Sequence, residues 1–318
     1  MFRNSPVVQS AIAFCCWTVF MVGSAAGQAT QYRAPRDSDG ELRWKFKKGQ
    51  VFRMITEQNT SMSMSIGQQP VKSENQNINE MTLHIDDVDS EGTAKAAAVL
   101  DRMMMQIEAN GQKMGFDSND EDETAIGPFA EVIKMIRPII GKRISQDMAS
   151  TGKISNVNVP DDMLPEGGNP IVAGMLNKKS IEEMTSRGSL EFPASKLELG
   201  HTWQVKAEMN MGPAQVSTTT DYKYLGVKEG QDGPLHVIEG KISMSFPQGI
   251  AGGTIEIVHE DSTATFYFDG VNGRLHGSEL HQDMKMKISA GGQSTEQHVL
   301  QKMKMSLVDG NADSAGNG

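Results

Sequence analysis

Cysteine is almost absent from this chain. Its 318 residues include two, the adjacent Cys15 and Cys16, so everything beyond them offers no disulfide, no thiolate metal site and no cysteine nucleophile. Aromatic residues are scarce, at 6%, which argues against a stacking platform for sugars or bases. No apolar run reaches the roughly 20 residues needed to cross a bilayer as a helix, so no membrane-spanning segment is expected. Positive charge is also in deficit, with 30 basic against 40 acidic residues. Nucleic acid and anionic membrane would both repel such a surface, and no nucleic-acid partner is expected. Catalytic signatures are missing as well. There is no His-Glu-x-x-His and no Gly-x-Ser-x-Gly, and Gly249 to Gly253 lacks the helix and lysine of a phosphate loop. The seven histidines are dispersed. The expectation is a non-enzyme with no cofactor and no metal.

What is present begins with an export leader. Arg3 supplies a positive start, Ala11 to Val22 an apolar core, and Ser24-Ala25-Ala26 a small-residue cleavage pattern. Residues 1–27 therefore read as a signal peptide. A lipid-modified cysteine would need small residues before it, and Phe14 precedes Cys15. Both cysteines leave with the leader, and loss of Arg3 takes the net charge from −10 to about −11. The product is expected to be periplasmic or extracellular. Residues 28–40 read as a polar linker, 41–125 as a first β half, 126–188 as a helical insert with a short extended segment, 189–308 as a second β half, and 309–318 as a disordered tail with nothing to bury.

Val51 to Ile66 alternates, with Phe52, Met54, Met62, Met64 and Ile66 on one face. Thr56, Gln58 and Thr60 are polar on that same face, and a bulge or break is expected there. Met81, Leu83 and Ile85 resume the alternation on a return strand, and Asp86 to Asp89 reads as turn chemistry. Asn110-Gly111 signals a hairpin. The second half repeats this order: Gly200-His201-Thr202-Trp203 echoes Gly49-Gln50-Val51-Phe52, and strands follow at Val237 to Phe246, Thr254 to Phe268, Gly277 to Ile288 and Thr295 to Val308. Between the halves, Gly127-Pro128 opens a helix striped by Phe129, Val132, Ile133, Ile136 and Ile140, which Pro138 should kink or end. Asn169-Pro170 and the capping box from Ser180 to Glu183 are further helix starts, with Gly188 as a C-cap. The fold class is mainly β (α+β): a curved antiparallel sheet or half-barrel built from two related halves with a helical insert between them.

Methionine is the abundant residue, with 22 in the chain. Met62/Met64, Met209/Met211, Met284/Met286 and Met303/Met305 are all Met-x-Met pairs. Soft thioethers suit Cu(I), yet these pairs continue apolar rows opposite charged ones, as core-facing strand residues do. A sheet lined by flexible, polarizable side chains can also mould around an apolar ligand, and these eight methionines are the ligand-cavity candidates. The acidic run Asp117 to Glu123 fails as a calcium loop because Asp122 stands where the sharp turn needs glycine.

Leu42 to Phe52, the turn Asp87 to Ala94 and Gly200-His201-Thr202-Trp203 together resemble an exported bacterial family, of planctomycete type, known only as a domain of unknown function. The arrangement is also similar to the half-barrel lipoprotein carriers of the periplasm. These resemblances imply a compartment and an architecture and transfer no functional residue. The functional expectation is an exported binding protein holding a hydrophobic or lipid-like ligand in a Met-lined concavity. The alternatives are a cell-envelope structural or interaction protein without a small ligand, and Cu(I) binding through the Met-x-Met pairs.

Overall fold

Among the described residues, twelve strands form one antiparallel sheet. The computed structural model describes residues 32–66, 69–109, 111–120, 133–134, 136–163, 177–186, 188–211, 214–247, 253–290 and 292–308. The strands are β1 (Val51–Ile66), β2 (Gln69–Val88), β3 (Ala94–Ala109), β4 (Gln112–Asp117), β5 (Arg143–Met148), β6 (Ile154–Asn158), β7 (Thr202–Met211), β8 (Ala214–Gly230), β9 (Gly233–Ser245), β10 (Thr254–Asp269), β11 (Arg274–Ala290) and β12 (Gln293–Val308). The sheet order is β6-β5-β3-β2-β1-β12-β11-β10-β9-β8-β7, with β4 beside β3. Among the described strands the sheet is not closed into a barrel. Because β1 pairs directly with β12, the first and last strands share a single sheet.

Helix α1 (Lys178–Ser186) packs against both β6 and β7, the strands at the two ends of the sheet. The sheet therefore curls until both end strands reach one helix. Asn177 sets the start of α1, its side-chain oxygen accepting the Ser180 N–H at 3.0 Å. Ser180 is thus inside the first turn and buried; it is not the cap that its capping-box sequence suggests. Ile181 anchors the helix on Val159 and Met163.

Three further expectations are corrected. The polar centre of β1 neither bulges nor breaks: Arg53 to Met64 pair residue for residue with β12, and Val51 to Ile66 with β2. Asp86 and Asp87 lie within β2, and of that acidic group only Asp89 makes the turn, its carboxylate accepting the N–H groups of Glu91 and Thr93 at 2.9 Å each. The described part of the polar linker, residues 32–40, is a docked strap. Arg33 exchanges two backbone hydrogen bonds with Val227 at 3.0 and 2.9 Å, and Asp39 is buried. The insert holds two sheet strands, β5 and β6. Its helix start at Gly127-Pro128, the Asn169-Pro170 signal, the leader and the tail from Asp309 lie outside the described residues. The described end of the first helix tightens into a 3₁₀ turn at Arg137–Ile139, as Pro138 requires.

Candidate functional site

Directly opposed residues on neighbouring strands share a face, so the register assigns the inner surface in rows. One row runs Ile257, Met286, Gln297, Met64 and Val71 across β10, β11, β12, β1 and β2. The next runs Glu260, Met284, Val299, Met62 and Ser73. Along these two rows Met62, Met64, Met284 and Met286 converge in a single buried cluster with Val216, Phe246 and Val299. The Gln297 amide donates to the Met62 sulfur. Met303 is buried in a different cluster, with Leu280 and Phe266, and Met305 is half-buried. Met209 and Met211 end β7, but their side chains lie outside the described residues. Four of the eight methionine candidates thus come together.

The third row holds no methionine: Ser262, Gln282, Gln301, Thr60 and Asn75. All five are buried. Beyond it, Leu280 and Met303 continue into Gln58 and Asn77, and Met305 and Thr56 into Asn79. A belt of neutral amides and hydroxyls therefore crosses five adjacent strands, between the methionine cluster and the aromatic core around Phe266 and Phe268. Parts of it bond internally: Gln58 donates to Thr60 at 3.1 Å and Gln282 to Ser262 at 3.2 Å. Other atoms have no protein partner, namely Ser73 Oγ, Asn77 Oδ1, both polar atoms of the Asn79 side chain, Ser278 Oγ and Gln301 Oε1. Each of these five side chains is at most 9% exposed. A buried polar group left so costs about 1–3 kcal/mol.

Glu260 is the one charged side chain on these inner rows among the described residues. The β9–β10 ladder stops at Lys241 and Thr263, so the Met244 N–H turns instead to both Glu260 carboxylate oxygens at 3.1 Å. Met244, Ile255 and Ile257 pack onto the methionine cluster on either side of this split. Burial raises the Glu260 pKa above its ordinary value of 4.5. With the folded value raised, the stability Glu260 contributes is complete below its ordinary value and is lost as pH rises through the raised one. Glu260→Gln keeps an acceptor for the Met244 N–H without the charge. It should melt no lower than the parent at pH 7, with the two converging near pH 4 in thermal scans.

The acidic run meets the sheet through Asp117, which pairs with Arg102 at 2.6 Å. Residues 121–123 lie outside the described residues. No group of three or more His, Cys, Asp or Glu side chains placed to hold a metal occurs among the described residues. No described helix is long and apolar enough to cross a membrane.

No protein-family model matches the chain, and no curated protein matches it. Among solved structures it is similar to one of lipid–protein interactions in lipovitellin, at 11% identity and a TM-score of 0.45, over 86% of this chain and 27% of that one. It is also similar to a DUF1329 family protein from Desulfovibrio piger, at 7% identity and a TM-score of 0.17, over 81% and 88% of the two chains. A third is described as an outer membrane lipoprotein-sorting protein domain from Vibrio parahaemolyticus, at 8% identity and a TM-score of 0.17, over 81% and 86%. The chain spans about a quarter of the lipovitellin chain, and with every TM-score below 0.5 none of these likenesses carries weight for function. The resemblance to the planctomycete-type family rests on its sequence motifs alone.

Proposed function

We propose that this is an exported, non-enzymatic binding protein that holds a hydrophobic or lipid-like ligand against the methionine-lined inner face of its sheet. The convergence of Met62, Met64, Met284 and Met286 from strands far apart in sequence supports this reading. Thioether side chains repack at low cost, so a cluster of four can open around an apolar guest. It also lies beside the split between β9 and β10, where side chains take over from the backbone ladder. Opening there requires no sheet hydrogen bond to break.

Protein purified from its own host without detergent, then analysed by native mass spectrometry and solvent extraction, should carry an amphiphile near one per chain. Solvent-stripped protein should then take up the fluorescent apolar probe N-phenylnaphthylamine. Absence of both a co-purified molecule and probe uptake would overturn the proposal in favour of an envelope structural role. The double variant Met284→Leu, Met286→Leu keeps core volume and should cost less than about 1.5 kcal/mol in urea unfolding for each replacement. It should also bind the apolar probe less well, because leucine is stiffer. Retention of Cu(I) by the parent against a competing chelator, lost in this variant, would instead favour the thioethers as metal ligands.

A further inference from the structure

We propose that the amide belt binds the neutral, hydrogen-bonding group of the ligand, so that the class carried is an uncharged amphiphile bearing hydroxyl or amide groups. This deepens the reading above and rests on it. Asn77, Asn79 and Gln301 lie on neighbouring inner rows of β2 and β12, each at least nine-tenths buried and each with a side-chain atom that meets no protein partner. A core under selection for stability alone would replace them with apolar residues, which removes the desolvation cost of an unpaired buried amide. Retaining several on adjacent strands concentrates that cost where a ligand group can relieve it.

The chemistry of the belt selects the class. Carboxamides and hydroxyls both donate and accept, and they match a partner that does both. An ester offers acceptors alone. No lysine, arginine or histidine stands on these rows to neutralise a carboxylate or phosphate head group, and burying an unpaired charge is far costlier than burying a dipole. Glu260, next to Ser262 on the inner row of β10, adds repulsion against any anion. The methionine cluster begins one row away, where an alkyl chain attached to the bound group would lie.

The test displaces N-phenylnaphthylamine from solvent-stripped, full-length mature protein using three sixteen-carbon compounds: monopalmitoylglycerol, palmitate and methyl palmitate. Monopalmitoylglycerol should compete about tenfold more tightly than either of the others, the factor expected from one or two net hydrogen bonds. In the double variant Asn77→Leu, Asn79→Leu this preference should shrink to about twofold while methyl palmitate binds as before. The same variant should melt no lower than the parent, since it relieves unpaired buried amides. Should it fail to fold, Gln301→Met serves the same comparison. Equal binding of all three compounds by the parent, or tightest binding of palmitate, overturns the belt assignment and leaves the hydrophobic-carrier reading standing. Binding of none of them, with no probe uptake either, removes the carrier reading itself.

Discussion

Trp44→Ala is expected to destabilise the protein by about 3 kcal/mol, the lower end of the range for truncating a large core aromatic, because the ring is partly buried. The magnitude follows from where the ring sits. Trp44 packs onto the cluster that includes residues of β8 to β12 and also onto the cluster built by β1, β2, β3, β5 and β6, so it ties together parts of the sheet far apart in strand order. Its ring stacks on Phe46 with centroids 6.1 Å apart and meets Phe268 edge-on at 5.4 Å. Phe268 is fully buried and meets Phe192 edge-on in turn at 5.0 Å. The indole N–H donates to the Leu190 carbonyl at 3.0 Å. Trp44→Phe preserves most of the area and loses that bond, so it should cost only about 1 kcal/mol in packing plus hydrogen bonding. Gly152→Ala should be nearly as harmful as Trp44→Ala. Gly152 has a φ of +90°, and a Cβ there would stand 2.2 Å from the Leu190 carbonyl oxygen and 2.6 Å from the indole nitrogen. Urea unfolding of the chain without residues 1–27, followed by fluorescence, checks the series, with Trp203 as the remaining reporter once Trp44 is gone. A loss below about 1 kcal/mol for Trp44→Ala would show that the two clusters hold independently.

The legible part of this fold was its alternating strands. Residues 51–66 form a strand with the bounds their pattern gives, and the four strands from β9 to β12 fall within a few residues of expectation, because apolar and charged residues take opposite faces there. The belt was not legible as a site. At Thr56, Gln58 and Thr60 the inward residues are as polar as their outward neighbours, so the alternation vanishes although the strand continues. In β2, Asn75, Asn77 and Asn79 face inward while Ile78 faces outward, so the pattern there runs against the fold. A signal was available nonetheless: two runs of amides and hydroxyls at period two, each continued by apolar residues in phase with it, as Phe52 and Met62 are with Gln58. That phase marks a polar stretch of an inner face rather than a break. The four converging methionines could be assigned to the inner face from sequence. Their meeting could not, because it depends on β1 pairing with β12 across most of the chain. The strap was hidden for a similar reason, since Arg33 and Asp39 find their partners at Val227, Glu229 and His236, nearly 200 residues on.

Asp39→Ala should cost about 2 kcal/mol, between the exposed and the fully buried ion-pair ranges because only the Asp39 end is buried, and should free the strap. Asp39 takes a bidentate grip from Arg33 at 2.5 and 2.8 Å and accepts the Arg36 backbone N–H at 2.6 Å, with its carboxylate side chain 3% exposed. Beneath it, the Asp39 carbonyl meets His236 Nε2 at 3.1 Å, and His236 Nδ1 meets the Tyr224 hydroxyl at 2.6 Å. A carbonyl only accepts, so Nε2 carries the proton and the tyrosine donates to Nδ1 of a neutral ring. The Arg33 hydrogen bonds hold the Asp39 pKa at about 2, down from 3.8, and burial pushes His236 below 6.5. Both shifts are downward, so both groups add stability that is complete above their ordinary values. His236 begins to lose its share as pH falls below 6.5, and Asp39 loses its own between 3.8 and about 2. Acid should therefore loosen the strap in two stages, and Asp39→Ala should lack the lower one. Glu229→Gln is the control. Its carboxylate also meets Arg33, at 2.9 Å, but is 70% exposed, so its loss should cost under about 1 kcal/mol. Limited proteolysis between residues 33 and 40 reports the strap directly: cleavage should be fast in Asp39→Ala at pH 7 and slow in the parent and in Glu229→Gln. Equal cleavage of all three would mean that the Arg33–Val227 backbone bonds hold the strap without the ion pair.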